Sequence, residues 1–236
     1  MNDAPSLGMI EAPEGQPTRN LCWNCRSDVG GDPQCPQCVR LQPLGAGSDY
    51  FRVLGLPRKL QINPAVLEPV FHALSRRFHP DMYRTASPRE RMIALENSAV
   101  LNKAYRTLRD PFERARYLLE LEQGRIEQQK DAPPQELLEE LLELQELLAE
   151  FQMAEADERS ALQPALQEKR ATLQAEQDRA AAELTGPLST QWDALQPGAH
   201  SPEERERLLD RLRDGLNARA YLRRALDTLR AALPSS

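Results

Sequence analysis

No segment of the chain is apolar over anything near the roughly 20 residues that a bilayer crossing requires, so a membrane-spanning helix is not expected. Aromatic residues are scarce, 5% of 236 positions, so any core must be built from leucine, alanine and valine. β-branched residues are also few, whereas Leu, Ala, Glu, Gln and Arg dominate, a composition that favours helix. Net positive charge is missing: the formal charge is −6, which argues against unspecific nucleic-acid binding. The sequence lacks a glycine-rich phosphate loop, a nucleophile elbow and a clustered triad, and His72 and His200 are isolated. No catalytic residue is predicted, and the chain does not read as an enzyme.

What charge there is falls unevenly. From Arg52 to Arg91 there are eight basic residues and three acidic ones, while from Glu136 to Glu158 there are nine acidic residues and no Lys or Arg. Two partner surfaces of different character would produce this asymmetry, as would a pair of solvated helix faces. The first twenty residues hold Asp3, Glu11, Glu14, one Arg and several Pro and Gly. They fit neither a secretory h-region nor an Arg-rich transit peptide, so residues 1–20 read as a disordered tail of a cytoplasmic protein. A mitochondrial-matrix protein is the alternative.

All four cysteines fall within residues 21–45, as Cys22-x2-Cys25, nine residues, and Cys35-x2-Cys38. Each CxxC turn points two sulfurs at one metal, and two such turns make a closed tetrathiolate site, the structural zinc pattern. A disulfide or redox pair and an iron centre are the alternatives. The loops are too small and polar to fold without a metal, and Arg26 and Arg40 are too few for a nucleic-acid surface. Removing the metal is expected to loosen residues 21–45 and to spare the helices.

Residues 49–122 read as a helical module. A first helix near Asp49 is closed by Gly55 and Pro57. A second starts after Asn63-Pro64 and must stop at Pro80, which has no amide hydrogen. A third runs from Ser87-Pro88 to Arg109 with Met92, Leu95, Val100, Leu101, Ala104, Tyr105 and Leu108 inward. A fourth follows Asp110-Pro111. The result is an antiparallel hairpin whose loop carries His79-Pro80-Asp81, with Arg76 and Arg77 at its base.

Residues 134–232 read as further helices beyond a linker ending in Pro133-Pro134. Leu137, Leu141, Leu144, Leu148 and Phe151 form one core-facing stripe. Leu138 and Leu142 flank it, with Glu139, Glu143, Glu146 and Glu150 beyond. An apolar edge beside an acidic face suits a partner site, although a wide-faced bundle helix would show the same pattern. This helix is expected to break between about Ala154 and Pro164. A last helix is expected from Ser201-Pro202 to about Leu233.

The runs Asp49-Tyr50-Phe51-Arg52-Val53-Leu54-Gly55-Leu56-Pro57, Ser75-Arg76-Arg77-Phe78-His79-Pro80-Asp81 and Leu101-Asn102-Lys103-Ala104-Tyr105 through Asp110-Pro111 resemble the J-domain family. Arg114-Ala115-Arg116-Tyr117-Leu118-Leu119 and the tetracysteine start are similar to its HscB branch. The resemblance implies an all-α fold: a zinc ribbon, a J-domain hairpin and a C-terminal three-helix bundle. It also implies that His79, Pro80, Asp81, Arg76 and Arg77 dock on a DnaK/HscA-class chaperone and stimulate its ATPase. Leu138, Leu142, Glu143, Glu146 and Glu150, with Tyr221 in the last helix, would bind an IscU-type iron–sulfur scaffold as client. Two positions depart from the family's pattern: Met82 replaces the usual Lys after the loop, and Glu139 stands where Met is common. A general J protein with another client, and a zinc-ribbon interaction protein with a helical arm, are the other readings; monomer and dimer are both open.

Overall fold

The structure is a computed structural model and describes residues 21–44, 48–124, 134–195 and 201–233. The expected tail, residue 45, the linker over 125–133 and His200 lie outside the described residues. In chain order the helices are α1 (Tyr50–Val53), α2 (Pro64–Phe78), α3 (Pro88–Arg109), α4 (Pro111–Gln123), α5 (Gln135–Met153), α6 (Ala156–Thr185), α7 (Pro187–Ala194) and α8 (Pro202–Ala232). The described residues contain no strand, only isolated bridges between Leu21 and Asp28 and between Gln34 and Leu41 in the ribbon. None of the described helices is long and apolar enough to cross a membrane.

The helix starts follow from local chemistry. Side-chain oxygens of Asp49, Asn63, Ser87, Asp110 and Ser201 accept hydrogen bonds from the first-turn amides of α1, α2, α3, α4 and α8. After four of these caps a Pro takes the first turn, where its missing amide hydrogen costs nothing. α1 closes at Gly55, whose φ of 64° is the left-handed conformation that glycine adopts without strain.

One expectation about the helices is met for a reason other than Pro164, and one needs correction. The break after α5 falls at Ala154-Glu155, where the Glu158 carboxylate accepts the Glu155 amide at 3.3 Å. Pro164 lies inside α6 without ending it. An interior proline costs about 3 kcal/mol, and the fully buried Leu166 and Leu173 pack the flanking turns strongly enough to offset this.

In the first half of α3 the inward face is also rotated from the expected one. Met92 and Leu95 are 57% and 58% exposed, while Glu90, Ile93, Ala94 and Asn97 are buried. The buried stripe runs Glu90, Ala94, Asn97, Leu101, Ala104, Leu108, in alternating steps of four and three. Two of its members are polar, and so the apolar pattern alone misplaced it.

Among the described residues, two large buried clusters stabilise the helices, and a small one of Cys22, Val29 and Cys35 lies in the ribbon. One gathers α5, α6 and the C-terminal half of α8 around Leu144, Leu148, Leu166, Leu173, Leu226 and Leu229. The other lies under α1–α4 and also takes in Leu184, Leu188, Trp192, Leu209, Leu212 and Leu216 from α6, α7 and α8. The hairpin module and the bundle therefore share a core. Polar contacts reinforce the joint: Asp193 accepts the amides of Leu60 and Gln61 at 2.7 and 2.8 Å, and Arg205 pairs with Glu122. The Arg219 guanidinium lies 3.5 Å from the centre of the Phe112 ring. Gly215 lets α8 approach α6 closely, since a Cβ there would come within 2.9 Å of the Leu184 side chain.

Candidate functional site

The His79-Pro80-Asp81 turn begins where α2 must end. Pro80 offers no amide to the last carbonyls of α2, and the Asp81 amide turns instead to His79 Nδ1 at 3.3 Å. Side chains from elsewhere in the module satisfy those carbonyls. The Tyr83 hydroxyl donates to the Arg77 carbonyl at 3.0 Å, and the Ser98 hydroxyl donates to the Phe78 carbonyl at 2.9 Å. Burial pushes the Tyr83 hydroxyl above its ordinary pKa, so it keeps the proton that it donates. Residues Pro80–Tyr83 form one 3-10 turn, in which the Met82 amide donates to the His79 carbonyl at 3.0 Å. The His79 and Asp81 side chains stand 56% and 75% exposed, so a fixed backbone presents two polar groups to solvent.

The two arginines at the hairpin base differ in their surroundings. Arg76 is exposed. Arg77 is half-buried, with Nη2 donating to Asp32 Oδ1 at 3.0 Å and to Gln34 Oε1 at 3.1 Å, both in the ribbon. Sequence reasoning did not foresee this contact, because nothing in the letters places residue 32 beside residue 77.

The four cysteine sulfurs lie within 4.8 Å of one another, with Cys22 and Cys38 at 3.6 Å and Cys25 and Cys35 at 3.5 Å. A tetrahedral site with metal–sulfur bonds of about 2.3 Å requires sulfurs a little under 4 Å apart, so the donor set fits one ion. The two turns share one geometry. The Arg26 amide donates to the Cys22 carbonyl and the Val39 amide to the Cys35 carbonyl, and both donor residues have positive φ, 61° and 56°. A left-handed valine is strained, and such strain persists only where the surroundings over-determine it. Burial pushes the Cys22 thiol up, but the amides of Cys25 and Asn24 outweigh it and leave it lowered. At Cys35 burial is likewise outweighed, by the Ser27 hydroxyl and the amides of Cys38 and Gln37, and its pKa falls to about 6. At Cys38 the Arg40 amide pulls the pKa down, but burial and the neighbouring Cys22 and Cys25 sulfurs outweigh it and raise the thiol to about 11. The donors arranged around Cys22 and Cys35 thus favour the thiolate that a metal ion needs at those two sulfurs. These four cysteines can hold one metal ion.

The ribbon is docked on α3 through the two polar residues of that helix's buried stripe. Glu90 accepts from the Leu41 amide at 3.0 Å and pairs with Arg40 at 2.6 Å. Asn97 accepts from the Leu44 amide at 2.9 Å and donates to the Gln42 carbonyl at 2.8 Å. Leu41, fully buried between them, belongs to the core under α1–α4. Trp23 donates to the Leu41 carbonyl at 2.6 Å, and its ring lies 4.7 Å from the Arg89 guanidinium. The sequence reading missed Glu90 and Asn97; their seven-residue spacing on the α3 stripe was the available signal.

On α5 the leucines divide as expected. Leu137, Leu144, Leu148 and Phe151 are buried and Leu141 is partly so, whereas Leu138 and Leu142 are 43% and 50% exposed. Glu146 and Glu150 are exposed. Glu143 is exposed too, but the Lys169 ammonium of α6 lies 2.6 Å from it and also pairs with Glu140. Tyr221 on α8 is half-buried beneath the Arg224 guanidinium, 4.3 Å from the ring centre. The structure thus brings Leu138, Leu142, Glu143, Glu146 and Glu150 together along one helix. Tyr221 lies on a different helix.

An exposed His-Pro-Asp turn at the tip of a basic helical hairpin, mounted on a helical bundle, is the architecture of a J-domain protein with a C-terminal extension. No family model matches the chain. It is 43% identical over 116 residues to a Vibrio cholerae co-chaperone protein HscB homolog, covering 48% of this chain and 67% of the relative. It is 33% identical over 129 residues to an Arabidopsis thaliana iron-sulfur cluster co-chaperone protein HscB homolog, covering 55% of this chain and 51% of that one. The chain thus spans about half the length of the plant relative and two thirds of the bacterial one. Among solved structures, human co-chaperone HscB superposes with a TM-score of 0.62 at 24% identity, covering 89% of this chain and 97% of the human one. HscB from Vibrio cholerae superposes with a TM-score of 0.56 at 26% identity, covering 78% and 96%. The chain belongs to the HscB family of co-chaperones.

Proposed function

We propose that this protein is a co-chaperone of iron–sulfur cluster assembly that stimulates the ATPase of a DnaK/HscA-class chaperone and delivers an IscU-type scaffold to it. The observation that carries the reading is the exposed, backbone-fixed His79-Pro80-Asp81 tip beside Arg76 and Arg77. Asp81 is placed to accept charge-assisted hydrogen bonds from a chaperone arginine. Pro80 and the bonds behind it keep the turn ordered before docking, so little entropy is lost on binding. The basic residues steer the tip towards an acidic groove. The tetracysteine ribbon holds zinc as a structural ion, since its all-thiolate ligand set leaves no open coordination position.

The client face is α5, where Leu138 and Leu142 form an apolar edge beside Glu143, Glu146 and Glu150. The deciding experiment is a steady-state ATPase assay with the chaperone, with and without scaffold. Leu138→Ala with Leu142→Ala should weaken scaffold binding by about 10- to 100-fold, the range for two interface anchors. Stimulation by the co-chaperone alone should be unchanged. Unaltered scaffold affinity in calorimetry would move the client site away from α5.

A second expectation concerns the turn's support. Tyr83→Phe with Ser98→Ala removes two donors worth about 1 kcal/mol each. Half-maximal stimulation should then require up to about 30-fold more co-chaperone, with scaffold binding unchanged. If the titration curve does not move, the two hydroxyls do not order the tip.

A further inference from the structure

The ribbon lies against the hairpin base and carries its own acceptors for one of the two arginines there. Asp32 Oδ1 and Gln34 Oε1 both take the Arg77 Nη2, at 3.0 and 3.1 Å. Asp32 Oδ1 also accepts the Gln34 amide at 3.0 Å, and the Asp32 amide donates to the Val29 carbonyl at 2.9 Å, so the acceptor pair is fixed within its loop. The loop is in turn positioned by the Glu90 and Asn97 bonds and by buried Leu41. The ribbon thus offers Arg77 the combination that an acidic groove would offer, a carboxylate and a carbonyl on a preformed loop. Arg76, one residue away, is exposed.

We propose that Asp32 and Gln34 set the strength of chaperone docking by engaging Arg77 in competition with the partner's acidic groove. This inference rests on the hairpin tip being the chaperone-docking site. Docking draws on Arg76 at once and on Arg77 only after the ribbon's hold is displaced. The effect is modest in size, because Arg77 and Asp32 are 38% and 59% exposed. Exposed pairs contribute about 0.2–1 kcal/mol, which corresponds to a factor of about five at most. The ribbon therefore tunes affinity while Asp81 decides whether stimulation occurs at all.

The test is a titration of chaperone ATPase with the full-length, zinc-loaded chain. Asp32→Ala with Gln34→Ala should lower the co-chaperone concentration for half-maximal stimulation about two- to fivefold, with the maximal rate unchanged. Asp32→Asn keeps an acceptor for the Gln34 amide and should shift it less, in the same direction. In an Arg77→Ala background the double substitution should have no effect. An unchanged or raised half-maximal concentration, or the same gain without Arg77, would overturn the proposal. Asp81→Asn, run alongside, separates the two levels: if it stimulates normally, the docking reading itself fails, whatever the ribbon variants do.

Discussion

Asp81→Asn is expected to reduce chaperone stimulation to the basal rate while the fold and scaffold binding stay intact. Truncating one partner of a charge pair that is desolvated on docking costs about 2–5 kcal/mol, at least about 30-fold in affinity. Nothing comparable is lost within the chain. The Asp81 side chain is 75% exposed, its carboxylate lies 3.7 Å from His79 Nδ1, and the turn's backbone bonds do not involve the carboxylate. Thermal stability should therefore move by no more than about 0.5 kcal/mol. His79→Ala should act in the same direction, because it removes the acceptor that holds the Asp81 amide at 3.3 Å. A variant that stimulated at the wild-type rate would show that the tip is not where the chaperone docks.

Loss of the metal should be felt well beyond the ribbon. With Cys22→Ser or a strong chelator, two strained knuckles and two buried thiols would lose the ion proposed to organise them. The sequence alone suggested that the helices would be spared. The docking on α3 argues otherwise, because Leu41 is fully buried in the core under α1–α4, and the buried Glu90 and Asn97 hydrogen-bond to ribbon backbone. Leu41 contributes about 2 kcal/mol by burial, and the bonds to Glu90 and Asn97 about 1 kcal/mol each. The hairpin module should lose about 3–5 kcal/mol, which lowers the melting midpoint by about 10 °C for a chain of this size. Calorimetry with and without chelator measures this, and hydrogen exchange should show protection falling along Glu90–Asn97 as well as across the ribbon. Exchange that rises in the ribbon alone, with an unchanged midpoint, would mean that the α3 contacts contribute no stability.

Helix boundaries were legible in the sequence wherever a capping side chain preceded a proline. Asn63-Pro64, Ser87-Pro88, Asp110-Pro111 and Ser201-Pro202 each start a helix at the expected residue. The α5 stripe was equally clear, because leucines at steps of four and three leave one solution for the core-facing side. Glu90 and Asn97 were not legible, since a polar letter reads as solvent-facing until its partner is known and the partners are backbone groups some 50 residues away. Met92 and Leu95 misled for the same reason. The joint between hairpin and bundle was hidden too: Asp193 looks like a surface acid in sequence, yet it caps the amides of Leu60 and Gln61. The break after α5 fell within the expected interval, but Pro164 does not cause it, since the buried Leu166 and Leu173 hold the helix on either side of it. At the hairpin tip the surroundings of the two arginines were not legible, since Arg76 and Arg77 are adjacent in sequence and differ through Asp32 and Gln34.

The joint at Asp193, with Trp192 and Leu212 packed behind it, has a consequence for how two guests would share this molecule. Because side chains wedge the hairpin against the bundle, the joint restricts how the tip and α5 can turn relative to one another. A protein carried on α5 would arrive at the ATPase already aimed, with a narrower search over orientations left to make.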